Sequence, residues 1–452
     1  MGRLFGTDGA RGVANTELSC ELAMQIGRAA ATVLTKDCKN DRPKVMIGMD
    51  TRISSEMLEA AITAGLCSVG ADVLLLGVVP TPAVAFLVKK YNYDAGIMIS
   101  ASHNPCEYNG IKIFKGDGYK LPDKSEEEIE DIIFDERKRP APVIGGKVGR
   151  VERSEMAIFD YVEHLKSTVD GCDFSHTRIA IDCANGSSSI TAPELFMSLG
   201  ALCDVFSAKP DGVNINDKCG STHMEQISSF VKENGGCAAG FAFDGDADRL
   251  LAVDENGDLV DGDKIIAICA KYLKQEGKLA NNTAVVTVMS NMGFFKFCEE
   301  NGIKCEKTKV GDRYVLENMR ANGNVIGGEQ SGHVIFHEYA STGDGQVTAL
   351  QLLKIMHKTG KKLSELAAEM TKYPQVMKNV RVSSMGKARF NDDENIKNAI
   401  ASAEKELGDE GRVLVRVSGT EPLVRVMLEG SDEKLISKLC DEIAQVVETS
   451  LI

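Results

Sequence analysis

The chain has 452 residues, 43% hydrophobic and 26% charged, a globular make-up too long for a single core. Its 52 basic and 66 acidic residues leave a net charge of −14, which argues against a nucleic-acid or anionic-membrane surface. The start, MGRLFGTDGARG, has no apolar core of the secretory kind, and thirteen scattered cysteines form no C-x-x-C pair, so a cytoplasmic, reduced protein without disulfides or a zinc site is expected.

Residues 44–50 (KVMIGMD) read as a strand. Ser54 or Ser55 can cap a following helix that places Leu58, Ala61, Ile62, Gly65, Leu66 and Val69 on one face, with Gly70 as its stop. A second strand at Asp72–Val79 completes a βαβ unit, hence a parallel pair. The apolar run Val73–Val88 is short for a membrane span and is broken by Pro80 and Pro82. Another buried strand, from Gly96 to Ile99, ends in the small polar loop Ser100–Pro105. The helix Ser125–Glu136 opens with a capping box, Ser125 with Glu128, and runs into the Pro- and Gly-rich linker Arg137–Gly146.

The βαβ pattern recurs twice. One copy is Arg178–Cys183, a helix around Ala192–Leu199, and Ala201–Phe206; the other is Ala284–Met289, a helix around Gly293–Asn301, and Ile303–Glu306. Each copy is followed by a buried strand ending in a polar loop, namely SASHNP at 100–105, DGDADR at 244–249 and GGEQSGH at 327–333. Three like domains presenting loops from one relative position would assemble a shared cleft. Past Tyr373-Pro374 the pattern changes to strand Val413–Val417, a turn, strand Val424–Leu428 and a helix from Asp432, a smaller α+β domain. The domain boundaries expected are 1–150, 151–254, 255–372 and 373–452.

Asp244, Asp246 and Asp248 crowd three carboxylates that repel one another unless a cation neutralises them, and an all-oxygen set suits Mg²⁺. An EF-hand is rejected, although Glu255 stands at the twelfth position, because Arg249 occupies the required glycine and the flanks are strand-like. Ser102 has His103 beside it, but neighbours in extended chain point to opposite sides, so His103 is poorly placed to deprotonate it. A phosphoserine there would supply oxygens to the metal instead. The stretch RVSGTEPLVR (416–425) reads as an anion clamp built on Arg416, Ser418, Gly419, Thr420 and Arg425. Glu329 and Ser331, flanked by glycines, suit sugar hydroxyls or an amine, and Gly6–Gly12 is a glycine-rich loop carrying Arg11.

Together GTDGARG, ISASHNP, DGDADR, GEQSGH and RVSGTEPLVR resemble, in order and spacing, the motifs of the α-D-phosphohexomutase superfamily. The resemblance implies three similar α/β domains with mixed sheets and a smaller C-terminal α+β domain around a central cleft. It implies a mutase in which Ser102 carries a phosphoryl group, Mg²⁺ sits on Ser102, Asp244, Asp246 and Asp248, and a sugar 1,6-bisphosphate is intermediate and activator. Gln330, KVGDRY (309–314) and STGDG (341–345) look like the members that interconvert glucosamine 6- and 1-phosphate toward UDP-N-acetylglucosamine, whereas relatives acting on mannose or glucose phosphate differ there. Arg11, His103, Lys112, Arg249 and His333 are the expected catalytic partners of Ser102, with Lys112 as general base and Arg249 near the metal. Lys309, Glu329, Ser331 and the clamp are expected to hold the sugar phosphate. The family also suggests a homodimer, and the position of the clamp beyond Pro374 suggests that the last domain swings over the substrate.

Overall fold

The computed structural model describes all residues except 1, 2, 7, 35–41, 419–421 and 452, and the side chain of Ser384. It divides into two compact units, one of residues 1–289 and 303–368 and one of residues 290–302 and 369–452. Among the described residues no helix is long and apolar enough to cross a membrane, and no cysteine is disulfide-bonded.

The larger unit holds three sheets. The first has seven strands in the order Phe5–Gly6, Gly9–Val13, Tyr108–Lys115, Ala95–Ile99, Lys44–Met49, Asp72–Val78 and Val151–Arg153. Lys44–Met49 and Asp72–Val78 pair in parallel, as the βαβ reading requires, and the crossover helix is Ile53–Ser68. Leu58, Ile62 and Leu66 on its inner face are completely buried, each contributing about 1.5–3 kcal/mol. That helix starts before Ser54, with Arg52 at its N-cap and no side-chain cap; Ser55 donates instead to Asp50. The later helix likewise begins early, at Asp123 behind Pro122, because proline's fixed φ and missing N–H suit a helix start. Ser125 therefore lies inside it and caps nothing. The run Val73–Val88 resolves into a strand and the helix Thr81–Lys90, with Pro82 in its first turn.

The second sheet runs Leu259–Val260, Leu250–Asp254, Ala239–Phe243, Arg178–Asp182, Leu202–Phe206, and the third Lys304–Thr308, Thr283–Thr287, Ile326–Gly328, Val334–Phe336. One local plan recurs in all three sheets. A strand parallel to the first βαβ strand (Ala95–Ile99, Ala239–Phe243 or Ile326–Gly328) leads into a loop, and the chain returns antiparallel beside it. The three loops carry Ser102, the aspartates and Glu329. The helix Gly345–Thr359, which sequence periodicity did not reveal, is buried on every side over most of its length, so it lacks an amphipathic stripe.

The smaller unit has an antiparallel sheet of Gln375–Arg381, Leu423–Gly430 and Gly411–Val417, in that order, with helices Glu394–Leu407 and Glu433–Leu451. Ile436, Leu439, Ile443 and Val447 of the last helix enter its core, as their spacing predicts. The helix Met292–Glu300 belongs to this unit. Buried Glu429 accepts from Met292 N at 2.9 Å and Asn291 Nδ2 at 3.2 Å, and pairs with Arg412 Nη2 at 2.8 Å.

Candidate active site

The strand Ala95–Ile99 is buried along its whole length and delivers the chain to Ser102, which turns with a left-handed φ of 54°. Ser102 is 1% exposed, and its Oγ donates to Asp244 Oδ2 at 2.6 Å. The extended-chain argument fails locally, because the left-handed turn brings His103 Nδ1 to 3.3 Å from Ser102 Oγ. Burial, then Arg249 and Arg11, lower the His103 pKa to about 4.

Asp244, Asp246 and Asp248 are all buried, and one oxygen from each fits within 4.8 Å of the others. Thr81 Oγ1 donates to Asp246 Oδ2 at 2.5 Å and Lys112 Nζ to the same oxygen at 2.8 Å. Asp246 Oδ1 and Asp248 Oδ1 are buried with no hydrogen-bond partner among the described residues. Burial, then Asp248 and Asp246, push Asp244 up to about 8. Burial opposes the Asp248 charge too, but Lys112 and His333 hold it well below the ordinary carboxylate range. Orphaned oxygens and an aspartate forced upward by burial and by two neighbouring carboxylates fit a divalent cation with oxygen ligands. Glu255 is turned elsewhere, accepting from Ser364 Oγ at 2.5 Å and N at 3.2 Å, so it is no part of this group.

A ring of charges surrounds these aspartates. Lys112 lies 3.2 Å from Asp8 and 3.4 Å from Asp248; Lys120 bonds Asp8 at 2.6 Å and Asp312 at 2.5 Å. His333 closes it, 3.6 Å from both Asp248 and Asp312. Burial disfavours protonated His333, yet Asp248 and Asp312 outweigh it and raise its pKa. In the neutral ring, Gly343 N donates to Nε2 at 3.0 Å, which leaves the proton on Nδ1 facing Asp248. Arg11 pairs with Asp8, and Arg249 N donates to Asp244 Oδ1 at 3.2 Å. Asp8 and Asp312 lay inside recognised motifs without being singled out; nothing in sequence marked Lys120.

The STGDG stretch packs its glycines onto this centre. A Cβ on Gly343 would fall 2.6 Å from the His333 ring, and one on Gly345 2.4 Å from Arg249 O. Glu329 Oε1 accepts from Gly311 N at 3.1 Å, while Ser331 is exposed and Lys309 exposed, with its ammonium 6.0 Å from the Tyr314 ring centre. In the smaller unit, Arg416 and Arg425 stand directly opposite on antiparallel strands. Burial and Arg425 both disfavour the Arg416 charge, and Arg416 Nε is buried without a hydrogen-bond partner among the described residues. Ser418 is buried at the end of the strand; Gly419 and Thr420 lie outside the described residues. Facing like charges cost stability unless an anion bridges them.

Profiles of phosphoglucomutase/phosphomannomutase match the whole architecture. Alpha/beta/alpha domains I, II and III match residues 2–140, 159–257 and 261–373, and the C-terminal domain matches residues 377–446. The chain is 56% identical to the phosphoglucosamine mutase of Acetivibrio thermocellus and 53% identical to that of Clostridium botulinum, covering all of both partners. Its fold is similar to a phosphoglucomutase/phosphomannomutase family protein from Burkholderia thailandensis (TM-score 0.81, 24% identity, 98% and 97% of the two chains). It is also similar to Aspergillus fumigatus N-acetylphosphoglucosamine mutase in complex with GlcNAc-6P and magnesium (TM-score 0.68, 18% identity, 99% and 96%).

Proposed function

The chain belongs to the phosphoglucomutase/phosphomannomutase family, and we propose that it interconverts glucosamine 6-phosphate and glucosamine 1-phosphate through a phosphoserine at Ser102. The carrying observation is that Ser102 Oγ is hydrogen-bonded into a buried aspartate group with two orphaned oxygens. The glucosamine assignment is supported by the 53–56% identical relatives bearing that name over their full length. Asp244, Asp246 and Asp248 would hold the Mg²⁺, which when bound supplies positive charge to the phosphoryl oxygens of Ser102.

In the first transfer the P–Oγ bond of phosphoserine breaks, a P–O1 bond to glucosamine 6-phosphate forms, the O1 proton passes to a base, and Ser102 Oγ takes up a proton as it leaves. The resulting 1,6-bisphosphate turns over. Ser102 Oγ then takes the 6-phosphoryl group, a proton returns to O6, and glucosamine 1-phosphate leaves. Charge on the phosphoryl group is spread over its oxygens, so Arg11 and Arg249 serve by electrostatics and positioning. Lys112, between Asp8, Asp246 and Asp248, is held as a cation in this arrangement. Lys112 is the expected base, two of its three carboxylate partners being aspartates that would hold Mg²⁺, and His103, whose lowered pKa keeps it neutral, is the second acceptor. Glu329 and Ser331 take sugar hydroxyls, Lys309 adds positive charge toward the sugar phosphate, and Arg416, Ser418, Gly419, Thr420 and Arg425 take the phosphate that is not reacting.

The test is ³¹P NMR of the protein with Mg²⁺, glucosamine 6-phosphate and a trace of glucose 1,6-bisphosphate, beside Ser102→Ala. Growth of glucosamine 1-phosphate with the wild type alone is expected. Preferential turnover of mannose or glucose phosphate would reassign the sugar, and equal activity in Ser102→Ala would remove the mechanism.

A further inference from the structure

The Ser102 loop is gripped by residues that never touch the hydroxyl. Arg52, its side chain fully buried, donates from Nη1 to Pro105 O at 2.6 Å. Its Nη2 donates to Ser102 O at 2.9 Å and to Asn104 O at 2.8 Å. Asp50 fixes the guanidinium through Nε at 2.9 Å and accepts from Ser100 Oγ at 2.7 Å. Ser100 Oγ in turn accepts the Ser102 N–H at 2.9 Å. From the loop after Leu202–Phe206, Asn216 Nδ2 donates to the same two carbonyls, Ser102 O at 2.9 Å and Asn104 O at 3.0 Å.

The grip has a conformational object. A left-handed φ is sparsely populated for serine and persists only where surroundings impose it. A rotation of the Ser102 backbone out of this left-handed φ would move Cβ and swing Oγ away from Asp244. Two donors on Ser102 O and one acceptor on Ser102 N hold the peptides on both sides of Cα and oppose the rotation. Arginine suits the task because its planar fork reaches three carbonyls through Nη1 and Nη2 while Nε–H faces Asp50; lysine offers one point charge.

We infer that Arg52, assisted by Asn216, is a positioning residue for phosphoryl transfer, holding the Ser102 backbone so that Oγ faces the aspartate group. This rests on the reading of Ser102 as phosphoryl carrier. Near-attack geometry tolerates little displacement, and a shift of about 1 Å costs roughly 100-fold in rate.

The test compares wild type, Arg52→Lys and Asn216→Gly, the last chosen because Asn216 itself has a φ of 58° that glycine keeps without strain. Uptake of phosphoryl onto Ser102 from glucose 1,6-bisphosphate is followed by intact mass, steady-state kcat and KM by coupled assay, and loop amides 100–106 by hydrogen exchange. Expected are kcat falls of about 100-fold in Arg52→Lys and about 10-fold in Asn216→Gly, KM within about twofold of wild type, and faster exchange confined to the loop. Should Arg52→Lys fail to fold, Asn216→Gly decides alone. Unchanged kcat, or a raised KM with kcat intact, overturns the inference. A wild type that takes up no phosphoryl group overturns the function beneath it, a failure visible without either variant.

Discussion

Ser102 Oγ lies 2.6 Å from Asp244 Oδ2, although the two residues are 142 positions apart. The proposed phosphoryl carrier and the aspartates that could hold a metal are therefore one cluster, and the hydroxyl proton faces the aspartate whose charge burial, then Asp248 and Asp246, oppose. Adding a phosphoryl group to Ser102 would put further negative charge against three buried carboxylates, which only a cation can balance.

Mg²⁺ should accordingly stabilise the protein through the aspartates. At 100 times its dissociation constant a ligand adds about 2.7 kcal/mol, so the thermal midpoint of wild type should rise with Mg²⁺ and fall with chelator. Asp246→Asn removes one of the orphaned oxygens' charges and should lose this response together with mutase activity. Scanning calorimetry with and without Mg²⁺ decides it, and an equal rise in the variant would place the ion elsewhere.

Much of this centre was legible because its chemistry is local in sequence: a strand, then a short polar loop. The three aspartates within DGDADR and the serine within SASHNP could be read directly. Lys120 could not, since its partners Asp8 and Asp312 are brought to it only by tertiary folding. Arg52 was hidden for another reason. It looks like an ordinary residue at a helix start, and its value comes from carbonyls that the chain presents fifty residues later. Likewise the left-handed backbone at Ser102 follows from contacts and not from any turn signal, which is why His103 came closer than alternation allowed.

Arg416→Met should separate binding from folding. Charge-assisted hydrogen bonds contribute about 1.5–3 kcal/mol, so loss of this guanidinium should raise KM for the sugar phosphate about 10- to 100-fold. The same change removes a like charge directly opposite Arg425, so the unliganded variant should melt no lower than wild type. A lower midpoint with unchanged KM would mean that Arg416 serves the sheet and not a phosphate.

Glu429→Ala should act on the smaller unit by removing a buried acceptor that Arg412, Asn291 and Met292 share. Arg412 and the amide of Met292 would both lose a buried acceptor, at a cost of about 3 kcal/mol, the low end for a broken buried pair because Arg412 is 21% exposed. Chemical denaturation followed by hydrogen exchange should show the loss concentrated in Ser290–Gly302 and the Gly411–Val417 strand. Uniform destabilisation of the larger unit's helices would contradict the assignment of that segment to the C-terminal unit.

His164 supplies a pH dependence away from the catalytic centre. It is stacked on Phe86 at 4.0 Å and its Nε2–H donates to Tyr339 O at 2.9 Å. Burial lowers its pKa below the ordinary 6.5, the Tyr339 carbonyl opposes that, and Lys90 adds to the lowering. The folded protein therefore binds fewer protons than the unfolded chain in the window below 6.5. Stability from this site is fully present above 6.5 and is lost as pH falls through the folded value. His164→Gln keeps a donor toward Tyr339 but cannot titrate, so its urea midpoint should fall less than that of wild type as pH is lowered from 6.5. Parallel midpoint curves for the two proteins would show that His164 is not the group responsible.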